Sequence, residues 1–330
     1  MGGFRLALRR SVGWTRKDKI EGNRWALSAL DPVHGRVLCG AFAASDGADV
    51  PYRIWMAREP RAAILLLHGC CDYSGAYDEI APKLAQHGFS CMAYDQRGFG
   101  ATASRGDWTS QERIVSDARE AIDFFRARVG PETPLFVIGE SMGGSVAVHT
   151  AATHPDLNLA GIVLVAPGAL ASALRNTLYR WFTNVLRLFA SGSEIVVERT
   201  DARELTAAAA IRLLADPMVM QAIRAELLAG VVAMGYAAVD AAHNVTVPVL
   251  TMAAGKDDLL RAECVRQLHD NLAGEKRWAA IGQGPHLLLH WRHGGIVLRA
   301  ARRWIERLLP KPAESQAAPE NLPPMPAKAA

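Results

Sequence analysis

One serine stands where a strand pattern meets a helix pattern. Residues 135–148 read Leu-Phe-Val-Ile-Gly-Glu-Ser-Met-Gly-Gly-Ser-Val-Ala-Val, so a β-rich run stops at Gly139 and a small-residue helix pattern starts at Gly143. Ser141 lies on the turn between them, in the G-x-S-x-G arrangement that lifts a hydroxyl clear of a sheet. Larger side chains two positions to either side would strike the neighbouring strand and helix, which accounts for Gly139 and Gly143. A serine alcohol is a weak nucleophile at neutral pH. The pattern carries chemistry only if a base and an orienting acid lie downstream.

Both have candidates. The loop Gly282-Gln283-Gly284-Pro285-His286 follows the last strand pattern, and its Gly and Pro free His286 from regular structure. His290 and His293 compete, but both fall in the segment that follows, where a histidine is more often a surface or capping residue. For the acid, Asp257 and Asp258 follow the run Met252-Ala253-Ala254. Either could orient a histidine and stabilise its charged form, and either could cap the next helix. Asp258 is preferred because it lies three residues after Gly255. The run Ile64–Leu67 enters His68-Gly69-Cys70-Cys71, where the backbone N–H of Cys70, with that of Met142, would face a carbonyl oxygen becoming negative. A nucleophilic Cys70 or Cys71 is the alternative, and it loses to Ser141 because neither sits on an elbow.

The elements that must hold these residues alternate. A hairpin over 37–57 turns at Ser45-Asp46-Gly47. Ala62–Leu67 is a continuous apolar run, as in a strand buried on both faces. A helix near 76–87, a strand at 90–94, a helix near 111–128, the elbow strand, a helix at 143–153 and a strand at 161–166 follow. Strands resume at 248–253 and 277–281, and a helix at 295–309 closes the pattern. This βα alternation predicts an α/β fold with a mostly parallel central sheet flanked by helices. The rhythm breaks over 169–243, which shows helical periodicity only and reads as an inserted helical cap. The expected organisation is a basic leader over 1–36, a core over 37–168 and 244–309, the cap between them, and a disordered Pro/Ala-rich tail over 310–330.

Composition narrows the classes. The chain has 330 residues, half of them apolar and 21% charged, with a net charge of +4, an ordinary globular balance. No Arg/Lys stripe with interleaved aromatics points to nucleic acid. Five cysteines (39, 70, 71, 91 and 264) make neither an even framework nor a C-x-x-C metal pattern, which fits a cytoplasmic compartment. No apolar run approaches the roughly 20 residues of a membrane span. Arg5, Arg9, Arg10, Arg16, Lys17 and Lys19 surround Leu6, Leu8 and Trp14, so the leader reads either as a solvated segment or as a peripheral contact with an anionic membrane surface. Gly98-Phe99-Gly100-Ala101-Thr102-Ala103 loosely matches a dinucleotide fingerprint, but loop residues follow where a helix should open. No cofactor and no metal are expected.

Three blocks together carry a family likeness: residues 68–77 (HGCCDYSGAY), residues 95–100 (DQRGFG) and residues 139–144 (GESMGG). They resemble the monoacylglycerol lipase/lysophospholipase branch of the α/β-hydrolases, also described as serine aminopeptidase-like. The likeness runs from about 40 to 308 and is weakest in the cap. It implies an α/β-hydrolase fold with Ser141 as nucleophile, Asp258 as acid, His286 as base and the amides of Cys70 and Met142 as oxyanion donors. Asp72-Tyr73 stands where the branch usually has Glu-His, and Glu140 stands where a histidine often precedes the serine.

The leading expectation is a serine hydrolase of carboxylic esters that works through an acyl-enzyme on a small ester or lipid, with an apolar cap near Trp181, Phe182 and Met218 over the acyl chain. For any one of those three residues, ordinary packing is the better account. An aminopeptidase would need acidic cap residues for a free amine, and Glu194, Glu198, Asp201, Glu204 and Asp216 are available. A catalytically dead receptor on the same fold would have no need of serine, acid and histidine together. Haloalkane and epoxide chemistry is disfavoured by serine, rather than aspartate, at the elbow.

Overall fold

A computed structural model describes residues 6–10, 37–170, 193–197 and 202–310. The parallel strands β4 (Ala62–Leu67), β5 (Phe89–Tyr94), β6 (Leu135–Glu140) and β7 (Gly161–Val165) are buried along their whole length. Their largely apolar sequences follow from helices covering both faces of the sheet. Two longer parallel strands, β10 (Val249–Lys256) and β11 (Lys276–Pro285), extend one edge. At the other edge β2 (Val37–Ala43) and β3 (Asp49–Trp55) form the expected hairpin, with β3 paired antiparallel to β5. The order across the sheet is β11-β10-β7-β6-β4-β5-β3-β2.

Alternate residues of each strand feed two apolar layers. Ala63, Leu65 and Leu67 pack with α2 (Gln111–Val129), α3 (Met142–Thr153), α5 (Ala225–Ala241) and α6 (Ala262–Asn271). Ala62, Ile64 and Leu66 pack with the short α1 (Ala81–Ala85) and with α7 (Gly295–Leu308). Helix α2 starts where Ser110 accepts a hydrogen bond from Arg113 N and stops at Gly130, whose φ of 96° no other residue adopts cheaply. In the segment that resembled a dinucleotide fingerprint, Gly98 and Gly100 both take positive φ, and no helix opens before Gln111.

The segment 169–243 departs from the expectation of helix alone. It contains β8 (Ser193–Val197) and β9 (Ala222–Arg224) beside α4 (Ala207–Ala215) and α5. The third strand of that small antiparallel sheet is β1 (Leu6–Arg10), paired from Leu6↔Val197 to Arg10↔Ser193. Part of the basic leader is therefore a strand on the inserted segment. Its charges hid a short run whose pairing partner lies almost 190 residues away. Helix α5 belongs with the core, since Met234, Ala238 and Val239 are buried against the α2–α3 layer. Ala225–Asn244 is long and apolar enough by composition to cross a bilayer, which the sequence reading did not expect, and half of it is buried inside the fold. Trp181, Phe182, Glu198, Asp201, residues 11–36 and the Pro/Ala-rich stretch after Pro310 lie outside the described residues.

Candidate functional site

Every strand that matters here ends on the same side of the sheet, so the loops after β4, β6, β10 and β11 converge. Ser141 follows the central strand β6 with φ 53° and ψ −120°, a conformation that costs a non-glycine residue about 1–3 kcal/mol and persists only when its surroundings enforce it. They do. Ser141 N donates to Val165 O at 3.0 Å, and Ser141 O accepts from Gly144 N at 2.9 Å and Gly168 N at 2.8 Å. A Cβ on Gly139 would lie 2.3 Å from Gly143 O, and one on Gly143 would lie 2.1 Å from Leu67 O, so both positions exclude any side chain.

A carboxylate and an imidazole reach Ser141 from the ends of the two edge strands. Lys256 of β10 pairs with Pro285 of β11, beyond a register shift after Ala254. The next residue on each strand is then Asp257 and His286. His286 Nδ1 lies 2.8 Å from Asp257 Oδ2, and its Nε2 lies 2.8 Å from Ser141 Oγ. A carboxylate only accepts, so the ring carries its proton on Nδ1 and turns a lone pair on Nε2 towards the serine hydroxyl. Here the structure corrects the expectation of Asp258. Asp258 is exposed, while the Asp257 side chain is 6% exposed. Parallel register aims the first residue past the strand, and not the second, at the histidine. Asp257 also caps the next turn, its Oδ1 accepting from Leu259 N and Leu260 N at 2.9 Å each. One side chain makes both contacts that the sequence divided between two.

The loop after β4 passes directly over the serine. A Cβ on Gly69 would sit 3.3 Å from Ser141 Cβ. His68 anchors this loop: Gln96 N donates to its Nε2 at 3.0 Å, its Nδ1–H donates to Gly69 O at 2.8 Å, and Gln96 Nε2 donates to His68 O at 2.7 Å. Burial lowers the His68 pKa, in keeping with a neutral ring that both donates and accepts. Met142 opens α3, so its N–H is one of the amides a helix start leaves without an internal acceptor. Cys70 and Cys71 are reduced, with Sγ atoms 3.6 Å apart.

Several contacts had no sequence signal. His290, expected at the surface or a cap, is buried, and its Nε2 lies 3.3 Å from Glu140 Oε2. Glu140 Oε1 accepts from Leu289 N at 2.9 Å, so the residue before the serine holds the loop that carries His286. His293 is exposed, as expected. Arg212 on α4 makes a hydrogen-bonded ion pair with Asp72. Burial works to raise the Asp72 carboxyl, but the Arg212 charge and hydrogen bond, with help from His290 and His68, outweigh it and bring the pKa down to about 2. Tyr73 donates to Asp216 Oδ2 at 2.6 Å, and burial first, then that carboxylate, pushes the phenol pKa up.

Apolar side chains border the loop. Cys71, Phe99, Met142, Met220, Ile223 and Leu227 form one buried cluster. Met218 packs in another with Tyr73, Leu213 and Leu287, the neighbour of His286.

A mostly parallel sheet flanked by helices, with a serine elbow after its central strand, defines the α/β-hydrolase fold. The chain belongs to the serine aminopeptidase S33 (Hydrolase_4) family, whose sequence profile matches residues 58–290. A monoacylglycerol lipase of Mycolicibacterium smegmatis is 29% identical over 279 residues, spanning 80% of this chain and 95% of that protein. Human monoglyceride lipase is 32% identical over 138 residues, spanning 41% of this chain and 45% of the relative. Among solved structures, the monoacylglycerol lipase of Paleococcus ferrophilus superposes with a TM-score of 0.63 at 22% identity, over 83% of this chain and all of that one. A soluble variant of monoglyceride lipase from Saccharomyces cerevisiae, in complex with a substrate analog, superposes with a TM-score of 0.68 at 18% identity, over 87% of this chain and all of that one. These two likenesses concern the fold.

Proposed function

We propose that the protein is a serine hydrolase that cleaves carboxylic esters of the monoacylglycerol or lysophospholipid type through an acyl-enzyme. The observation that carries the reading is the chain Ser141–His286–Asp257, joined by two contacts of 2.8 Å. Ser141 Oγ attacks the ester carbonyl carbon while its proton passes to His286 Nε2. Asp257 steadies the imidazolium that results. The carbonyl oxygen, now negative, takes hydrogen bonds from the amides of Cys70 and Met142. On collapse, the carbon–oxygen bond to the alcohol breaks and His286 protonates the departing alcohol. Water then gives a proton to Nε2, attacks the acyl-serine and releases the carboxylic acid with Ser141 restored.

The cluster around Met142, Met220, Ile223 and Leu227 supports an acyl substrate, since it offers an apolar wall beside the proposed oxyanion donors. The inserted segment, with Met218 packed close to Leu287, would roof that chain. The relatives named monoacylglycerol lipase point the same way. Aminopeptidase action would need a carboxylate available to a free amine. Asp216 already accepts from Tyr73 and from Met218 N, and Glu204 pairs with Arg292 at 3.2 Å.

The test is a p-nitrophenyl ester chain-length series run beside a monoacylglycerol, a lysophosphatidylcholine and an aminoacyl p-nitroanilide. Esters of medium or long acyl chains should be turned over fastest, and Ser141→Ala should fall to background. Preference for the aminoacyl amide over every ester would overturn the reading, as would an active Ser141→Ala variant.

A further inference from the structure

The loop that bears Cys70 is stitched to the inserted segment at three consecutive residues. Met220 N donates to Cys71 O at 2.9 Å. Arg212 pairs with Asp72, the two side chains being 13% and 8% exposed. Tyr73 donates to Asp216, whose other oxygen accepts from Met218 N at 2.8 Å. Arg105 grips the same turn, donating to Met218 O at 2.7 Å and Pro217 O at 2.9 Å, while a further bond of 2.8 Å ties it to Gly100 O. Residues 212–220 thus form a strap across residues 71–73.

Two features make this more than packing. Cys71 sits at φ 67°, in the left-handed region that strains a non-glycine residue and needs outside contacts to persist. Those contacts include the strap bonds to its carbonyl and to the next residue. Asp72 relays the hold inward, because the oxygen that meets Arg212 also accepts from Tyr73 N at 2.9 Å, and Asp72 N donates to Gly69 O at 3.3 Å. The ion pair is also poorly designed for stability alone. Among the described residues the buried Arg212 Nη2 atom has no hydrogen-bond partner, and a buried pair that leaves a donor unsatisfied returns little net stabilisation over an apolar pair of the same volume.

We propose that Arg212 is a positioning residue that acts through Asp72 to hold the Cys70 amide in line with the carbonyl oxygen. The inserted segment then completes the oxyanion hole as well as covering the substrate. This rests on the proposed role of Ser141 and of the Cys70 amide.

The experiment compares the full chain with Arg212→Lys, Arg212→Gln, Asp72→Asn and the double variant Arg212→Gln/Asp72→Asn. It measures kcat and KM on p-nitrophenyl butyrate and the inhibition constant of an alkyl trifluoromethyl ketone, which captures a serine as a tetrahedral oxyanion. Loss of a whole oxyanion donor costs about 10²–10³ in kcat, so a misaimed one should cost about 10–100-fold. Arg212→Gln and Asp72→Asn should each show that loss with KM within about threefold and ketone affinity falling in parallel. The double variant should be no worse than either single one, and Arg212→Lys should recover most of the rate.

Arg212→Gln with kcat within twofold of the parent would overturn the proposal. So would multiplicative losses in the double variant, or a fall in kcat with ketone affinity unchanged. If Arg212→Gln does not fold, Arg212→Lys and Asp72→Asn are judged by the same kcat and ketone criteria. An active Ser141→Ala control would instead sink the underlying reading, so the two failures are distinguishable.

Discussion

Replacing Asp257 by asparagine separates orientation from charge, and its cost can be worked from the geometry. The carboxylate meets His286 Nδ1 at 2.8 Å. With charge centres about 4 Å apart and an effective dielectric of about 20, an imidazolium beside it gains about 4 kcal/mol. That gain exists only once Ser141 has passed its proton on, so its loss falls on the transition state and amounts to about 10³ in kcat. A second effect adds to it. The Asp257 oxygen that accepts from Leu259 N and Leu260 N would stay with those amides as the asparagine oxygen, turning the NH2 group towards the imidazole. Nδ1 must then accept, and Nε2 must carry the proton towards a hydroxyl that it ought to deprotonate.

The expected outcome is a fall of about 10³–10⁴ in kcat with KM within about threefold, measured on p-nitrophenyl butyrate and normalised to folded protein. Because the cap survives, urea unfolding should move by less than about 1 kcal/mol. Asp258→Asn is the matched control and should stay within about twofold, as expected for an exposed side chain away from the ring. An Asp258→Asn loss exceeding that of Asp257→Asn, or an Asp257→Asn variant within tenfold of the parent, would refute the register argument.

Two further predictions test how the site is held. Glu140→Ala leaves Leu289 N buried without its 2.9 Å acceptor, which should cost about 1–3 kcal/mol in urea unfolding. It should also lower kcat about tenfold as the His286 loop relaxes, whereas Glu140→Gln keeps the acceptor and most of the rate. Equal effects of the two substitutions would show that the acceptor is immaterial. The Asp72 pKa lies at about 2 against an ordinary 3.8. A depressed folded-state value stabilises the protein above pH 3.8 and withdraws that help as pH falls through 2. At 1.36 kcal/mol per unit the loss is about 2 kcal/mol. Asp72→Asn should start less stable at neutral pH and lose about 2 kcal/mol less between pH 5 and 2, and parallel curves for the two proteins would contradict this origin.

What the sequence could and could not convey follows from the range of each interaction. The apolar runs at 62–67, 89–94, 135–140 and 161–165 announce strands because burial on both faces is a local demand on composition. Half of the elbow is legible locally, because a side chain on Gly139 would strike Gly143 four residues on, whereas Gly143 itself is fixed by Leu67 of a distant strand. The antiparallel sheet of residues 6–10, 193–197 and 222–224 was hidden because each strand is short and carries charge, and its pairing joins distant segments. Arg212 was equally silent. An arginine in an alanine-rich helix reads as solvated, and only the fold brings it to Asp72. His290 failed for the opposite reason, since helical spacing argued for the surface while Glu140, 150 residues earlier, offered a buried partner.

The choice between Asp257 and Asp258 shows how the missing information is organised. The spacing from Gly255 favours Asp258, but the fact that decides which carboxylate meets the ring is the alignment of β10 with β11. Counting from Val249↔Lys276 in strict register would set Lys256 against Gln283 and leave His286 two residues out of line with Asp257. The pairing instead reaches Lys256↔Pro285 after the irregularity beyond Ala254. The two extra residues in β11 fall within the Gly-rich stretch Gly282-Gln283-Gly284, which faces Gly255 alone and where the chain can absorb a bulge. The glycines read from sequence as freeing a catalytic loop therefore act within the ladder, by advancing His286 to face Asp257. Shortening that stretch by one residue would flip the alternation of side chains and turn the imidazole away from both Ser141 and its acid.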